Sequence, residues 1–207
     1  LNKEFIYLFH TNEVPGLYNV LGDESKFNEV YEKYAKTVKA KHKLKVNAWD
    51  LLNLFMYERS FSGRVYFVFA DNCTKGVFKE TVYSSNLCQE IMQPAKPLDG
   101  SEGIPEVGVC ILAGLNLGYA KLEDIPEITE VLVNFLDNLI DIEQFTIPEA
   151  EYAAKNRRSL GIGVSNLFGY LAKSKLFYNS KDAQQEIFQI MEHFYYGLLK
   201  ASNELAK

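Results

Sequence analysis

Asn86, Cys88 and Glu90 carry an amide, a thiol and a carboxylate at a spacing of two within Tyr83-Ser84-Ser85-Asn86-Leu87-Cys88-Gln89-Glu90-Ile91. In an extended segment, side chains at i, i+2 and i+4 point to the same side. One short strand or strand-like loop would therefore present all three groups together, with Leu87, Gln89 and Ile91 facing the other way. That arrangement is a candidate site. The alternative is a buried strand whose cysteine is a small core hydrophobe and whose polar groups are satisfied by neighbours.

The remaining reactive residues narrow the chemistry. Cys73, Cys88 and Cys110 show no C-x-x-C spacing, and His10, His42 and His193 are scattered, so no metal site is expected. An odd cysteine count in a chain of 207 residues suits free thiols in a reducing compartment, here the cytoplasm. A cysteine hydrolase would need a histidine beside the thiol, and the sequence alone places none there. The net charge of −5 offers no basic field for nucleic acid. The chain is 47% hydrophobic and 24% charged, as in an ordinary globular protein, and its 14% aromatics supply a sizeable core. No apolar run reaches the roughly 18 residues needed to span a membrane. The first residues, Leu1-Asn2-Lys3-Glu4, do not resemble a signal peptide.

The elements that must position the candidate site alternate between strand and helix, which indicates an α/β fold. Phe5 to Phe9 reads as a strand or a helix end, and Glu13-Val14-Pro15-Gly16 has turn chemistry. Asp23 to Lys41 is expected to be an amphipathic helix with Phe27, Val30, Tyr31, Tyr34 and Val38 at the helical period. The run Lys39, Lys41, Lys43 and Lys45 suits a solvated helix C-terminus. Asn47 reads as the N-cap of a helix over Ala48 to Ser60, with Leu51, Leu52, Phe55 and Met56 inward and Gly63 ending it. Arg64 to Ala70 is apolar at almost every position, the pattern of a strand buried on both faces, and a loop with a structural Cys73 follows it. Pro94 and Pro97 close the candidate-site stretch.

Val107 to Leu117 is a second buried-strand candidate with Cys110 inside it. Helices are expected over Leu122 to Ile142, Pro148 to Asn156, Ser165 to Lys173 and Asp182 to the end. Gly161 and Gly163 do not form a dinucleotide fingerprint and suit tight packing instead. The absent initiator methionine and the uncapped last helix suggest a piece of a longer protein.

These segments resemble one known family. Ser85-Asn86-Leu87-Cys88-Gln89-Glu90-Ile91 is similar to the finger-loop motif of ribonucleotide reductase large subunits, above all the class I enzymes of enterobacteria and their phages. Val14-Pro15-Gly16-Leu17-Tyr18, Ser62-Gly63-Arg64-Val65-Tyr66, Asn116-Leu117-Gly118, Arg157-Arg158-Ser159-Leu160-Gly161-Ile162-Gly163-Val164 and Leu199-Lys200-Ala201-Ser202-Asn203-Glu204-Leu205-Ala206-Lys207 resemble the same family in the same order. The resemblance covers residues 1–207 as a single segment of the barrel domain, incomplete at both ends.

The resemblance implies a ten-stranded α/β barrel with a central finger loop. It implies that Cys88 becomes a thiyl radical that removes the 3′ hydrogen of a ribonucleotide. By the same resemblance Glu90 takes the 3′-hydroxyl proton, Asn86 hydrogen-bonds the ribose hydroxyls, and Cys110 is one of two redox cysteines. The other redox cysteine, the phosphate-binding segment, the radical-relay tyrosines and the regulatory regions have no counterpart here, and Cys73 does not match the missing cysteine. Implied partners are a radical-generating small subunit, the remaining parts of the large subunit, thioredoxin or glutaredoxin as reductant, and a second copy of the complete subunit. No cofactor is expected on this chain, and the chain alone is expected to be inactive. A non-catalytic assembly module of the same family is the alternative. A glycyl-radical enzyme would need a C-terminal glycine-radical segment that the sequence lacks.

Overall fold

The computed structural model describes residues 4–75 and 80–207. They form two compact units, one running to Ala95 and the other from Lys96 to Lys207.

In the first unit, β1 (Phe5–Phe9) pairs antiparallel with β2 (Lys43–Asn47), Phe5 opposite Asn47 and Phe9 opposite Lys43. Between them come α1 (Pro15–Tyr18) and α2 (Glu24–Thr37). Asp23 caps α2 by accepting from the Lys26 amide at 3.1 Å. Tyr31 ties α2 to β1: its hydroxyl accepts from the Tyr7 amide at 2.6 Å and donates to the Tyr7 carbonyl at 3.1 Å. Only part of the lysine run is helix-terminal. Lys43 and Lys45 lie on β2, with their ammonium groups over the rings of Tyr7 and Phe5 at 4.8 and 4.1 Å. Lys43 Nζ also donates to the Ala35 carbonyl in the last turn of α2, so it serves the helix end as expected, while Lys45 rests on an aromatic face instead.

Helix α3 (Ala48–Ser62) starts as the sequence indicates. The Asn47 side chain accepts from the amides of Trp49 and Asp50 at 2.9 and 3.2 Å. Gly63 ends it at φ +64°, the left-handed cap that glycine adopts without penalty. Phe55 and Met56, expected inward, are exposed. The run Arg64 to Ala70 is not a strand. Residues 64–69 are irregular, Tyr66 to Phe69 are exposed, and Ala70 opens α4 (Ala70–Thr74), which contains the half-buried Cys73. A doubly buried strand needs a ladder partner and cover on both faces. This run packs locally instead: Arg59 donates to the Val65 carbonyl at 2.9 Å, and Phe55 meets Phe67 edge-on at 5.7 Å.

In the second unit, β3 (Ile111–Asn116) and β4 (Leu160–Ser165) form a parallel pair with Gly114 opposite Gly163. Strand β3 is shorter than the one expected over Val107 to Leu117, and Cys110 lies just before it and not inside it. Gly161 and Gly163 belong to β4. Helices α5 (Ile125–Ile142), α6 (Pro148–Arg157), α7 (Leu167–Lys173) and α8 (Lys181–Leu205) surround the pair. Pro126 and Pro148 sit in the first turns of α5 and α6, where a missing amide costs nothing. Ser180 caps α8 through the Ala183 amide at 3.1 Å. Leu115 and Leu117 pack with Ile125 of α5 and Ile190 and Phe194 of α8 to form the core. Among the described residues the strands form these two pairs and no closed barrel. No helix among them is long and apolar enough to cross a membrane.

Candidate active site

The stretch bearing Asn86, Cys88 and Glu90 is a tight turn, not an extended strand. The Gln89 amide donates to the Asn86 carbonyl at 3.2 Å, which places Leu87 and Cys88 at the tip. Gln89 sits at φ +64°. A non-glycine residue there pays a small steric cost, and the chain reverses within four residues. The alternation of side chains therefore breaks at Gln89.

Asn86 holds this turn. Its Oδ1 accepts from the Ile91 amide at 3.1 Å, bridging the loop from one side to the other. The Ser85 hydroxyl donates to the Asn86 carbonyl at 2.9 Å. With Oδ1 engaged by the backbone, the Nδ2 group is the part of the amide that can donate to a ligand. Cys88 is a free thiol on the exposed tip, and Asn86 and Glu90 are exposed beside it. The structure thus brings the three residues together on one exposed loop, by a turn and not by strand periodicity. Leu87, at 91% exposure, projects fully into solvent.

The root of the loop is fixed more firmly than its tip. Val82 is 1% exposed, and its amide donates to the Thr74 hydroxyl at 3.2 Å. The ring of Tyr83 stacks on that of Tyr18, with centroids 4.8 Å apart and planes 14° from parallel. Sequence alone singled out both segments but did not connect them.

Cys110, a half-buried thiol, belongs to the second unit, immediately before β3. Around β3 and β4 the remaining motif residues do structural work. Asn116 at the end of β3 accepts through Oδ1 from the Gly118 amide and from Asn166 Nδ2, both at 3.0 Å. Asn166 is left-handed at φ +60° where β4 hands over to α7, and Lys173 donates to the Gly118 carbonyl at 3.2 Å. A Cβ on Gly118 would collide with Asn166 Nδ2, which explains the glycine of Asn116-Leu117-Gly118.

The paired arginines each find acids that sequence did not assign. Arg157 Nε donates to Glu106 Oε2 at 2.8 Å, and Glu106 is buried. Arg158, left-handed at φ +47°, donates to Asp137 Oδ1 at 2.7 Å and to Asp141 Oδ1 at 2.9 Å. Asp137 and Asp141 are one turn apart on α5, so one guanidinium can bind both. These bonds hold the Arg158 guanidinium firmly protonated, and the bond from Arg158 lowers the Asp141 carboxyl below its ordinary range.

An apolar groove of about 950 Å³ opens between β1 and α2, lined by Tyr7, Phe9, Leu17, Phe27 and Tyr31 among others. Its lining does not include the loop residues. Among the described residues no cluster of histidine, cysteine or acid side chains could hold a metal ion.

The strand-and-helix alternation is that of an α/β protein, and comparison with known proteins gives the family. The family described as "Ribonucleotide reductase, barrel domain" matches residues 1–207, and the chain belongs to it. It is similar to the alpha subunit of ribonucleoside-diphosphate reductase from Buchnera aphidicola subsp. Schizaphis graminum, with 40% identity over 98% of this chain and 27% of that protein. It is likewise similar to the Escherichia coli K12 reductase 1 alpha subunit, 40% identical over 100% of this chain and 28% of the relative. Enterobacteria phage T4 has an alpha subunit 36% identical over 99% of this chain and 28% of its own length. Among solved structures, the Actinobacillus ureae class Id ribonucleotide reductase alpha subunit superposes with a TM-score of 0.66 at 32% identity, covering 76% of this chain and 31% of the other. The chain thus spans little more than a quarter of the length of these curated relatives. Its two units are part of an α/β reductase barrel domain.

Proposed function

We propose that this chain supplies the finger-loop segment of a ribonucleotide reductase catalytic subunit, within a ten-stranded α/β barrel that other segments complete. The observation that carries the reading is the whole-length family match, with Asn86, Cys88 and Glu90 gathered on one turn. Cys88, as a thiyl radical, takes the hydrogen atom from C3′ of a ribonucleotide, becomes a thiol, and returns a hydrogen atom to C3′ once the 2′ position is reduced, which restores the thiyl radical. Glu90 accepts the 3′-hydroxyl proton, a role that suits a carboxylate two residues from the thiol. Asn86 Nδ2 donates to a ribose hydroxyl while its Oδ1 keeps the loop closed. Cys110 and a second cysteine outside this chain supply two electrons and become a disulfide as the 2′-hydroxyl leaves as water. Thioredoxin or glutaredoxin then reduces that disulfide, in keeping with a cytoplasmic setting.

The radical comes from a separate small subunit, and this chain provides orientation. The remaining parts of the large subunit, acting as a homodimer, supply the substrate-phosphate site and the missing cysteine. Large exposed apolar side chains on both units, such as Phe61 and Trp49 in the first and Phe168 and Tyr196 in the second, support this need for further segments.

The test is to co-express the chain with segments that complete the subunit, add the small subunit and a dithiol reductant, and measure deoxyribonucleotide formation. Turnover is expected from the assembly and not from the chain alone. Cys88→Ser abolishes it. An assembly that turns over equally well with Cys88→Ser would make the chain a non-catalytic assembly module of the same family.

A further inference from the structure

The finger loop's exposed tip contrasts with the specific packing at its root. Tyr83 begins the loop, and its ring stacks on Tyr18 at 4.8 Å and 14°. Tyr18 closes α1, which is itself held on two sides. The Gly16 amide donates to the Tyr34 hydroxyl of α2 at 3.2 Å, and the Leu17 amide donates to the Val14 carbonyl at 3.0 Å. Helix α2 is in turn bound to β1 through the Tyr31 hydroxyl. A second contact lies beside the stack. A Cβ on Gly22 would approach Thr74 Oγ1 to 2.7 Å and Thr81 Cγ2 to 3.0 Å, so the chain after α1 lies against the loop root. Thr74 Oγ1 also accepts from the buried Val82 amide.

We infer that Tyr18 and Tyr83 are positioning residues for the finger loop, their stacked rings coupling the α1 turn to the segment that carries Asn86, Cys88 and Glu90. The inference rests on the reading of that loop as the radical-bearing one. Neither ring touches substrate. Offset-stacked aromatic pairs add attraction beyond their buried area, and a flat ring pair resists the rocking that would swing the tip. A thiyl radical must reach one hydrogen of a bound sugar, and small misplacements of reacting atoms cost large factors in rate.

The experiment compares Tyr18→Ala, Tyr83→Ala, the double variant, and Tyr18→Phe and Tyr83→Phe in the complete chain. Two readouts are used: amide hydrogen exchange at Val82 and Ile91, and steady-state kinetics of the assembled reductase. Either alanine variant is expected to speed exchange at both amides about two- to tenfold, with the double variant no faster than either single one. In the assembly kcat falls while KM is unchanged, and either phenylalanine variant restores both readouts. Wild-type exchange rates in the alanine variants overturn the inference, as does faster exchange with unaltered kcat. Cys88→Ser is run alongside. Retained turnover in that variant refutes the role given to Cys88, whereas the exchange rates decide independently whether the ring pair holds the loop.

Discussion

Gly197→Ala tests the packing that supports β3 and β4. Helices α5 and α8 cross with Gly197 against Thr129, a residue with no solvent exposure. A Cβ at position 197 would collide with Thr129 Oγ1 and lie 3.1 Å from its Cβ and 3.4 Å from its Cγ2. The hydroxyl cannot swing away freely, because it is engaged with the carbonyls of Ile125 and Pro126, both at 2.9 Å. The helices must part or those bonds must break. Overpacking of this kind costs about 1–3 kcal/mol, and stranding a buried hydroxyl costs a further ~1–3 kcal/mol. The intrinsic helix preference of alanine over glycine returns only about 1 kcal/mol. The net expectation is a destabilisation of about 1–5 kcal/mol. Urea unfolding followed by far-UV circular dichroism measures it as a lower midpoint at unchanged slope. Thr129→Ala removes the clash with Oγ1 but leaves the 3.1 Å contact with Cβ, so the double variant should recover part of the added loss and not all of it. A Gly197→Ala chain as stable as the parent would refute the close crossing.

Three further outcomes follow from the geometry. Asn86→Ala removes the bridge to the Ile91 amide and should cost about 1 kcal/mol locally, read as faster exchange of that amide, whereas an unchanged rate would show that the turn does not depend on it. Arg157→Ala leaves the buried Glu106 carboxylate without its guanidinium and should cost about 3–5 kcal/mol, with Glu106→Gln in the same background recovering part of the loss in thermal unfolding. Asp141 has its folded pKa held below the ordinary 3.8 by the hydrogen bond from Arg158. Its contribution is therefore complete above 3.8 and is lost as pH falls through the lower folded value. Carboxyl-resolved NMR titration should show Asp141 moving up toward 3.8 in Arg158→Ala.

What the sequence made legible is mostly local. Asn47 and Gly63 bound α3 because capping is decided within a few residues. Pro126, Pro148 and the apolar periods of α5 and α8 likewise place those helices close to their observed limits. The strand expected over Arg64 to Ala70 failed because burial on both faces depends on neighbours that local hydrophobicity does not specify. The candidate loop was recognisable by residue type and family resemblance, but its shape was not. The left-handed Gln89 carries no glycine to announce it, and the turn replaces the alternation that an extended strand would give. The Tyr18–Tyr83 stack, the Arg158 fork and the Glu106–Arg157 pair join residues far apart in sequence, so periodicity could not reveal them.

The central claim is that Cys88 abstracts the 3′ hydrogen. The most direct measurement uses a ribonucleotide tritiated at C3′ and the assembled reductase. Hydrogen taken by Cys88 is held as a thiol hydrogen that can exchange with water before a hydrogen atom is returned to C3′, so the wild-type assembly should release part of the tritium to solvent during turnover. Cys88→Ser should release none. Tritium release by the Cys88→Ser assembly at the wild-type rate would contradict the account.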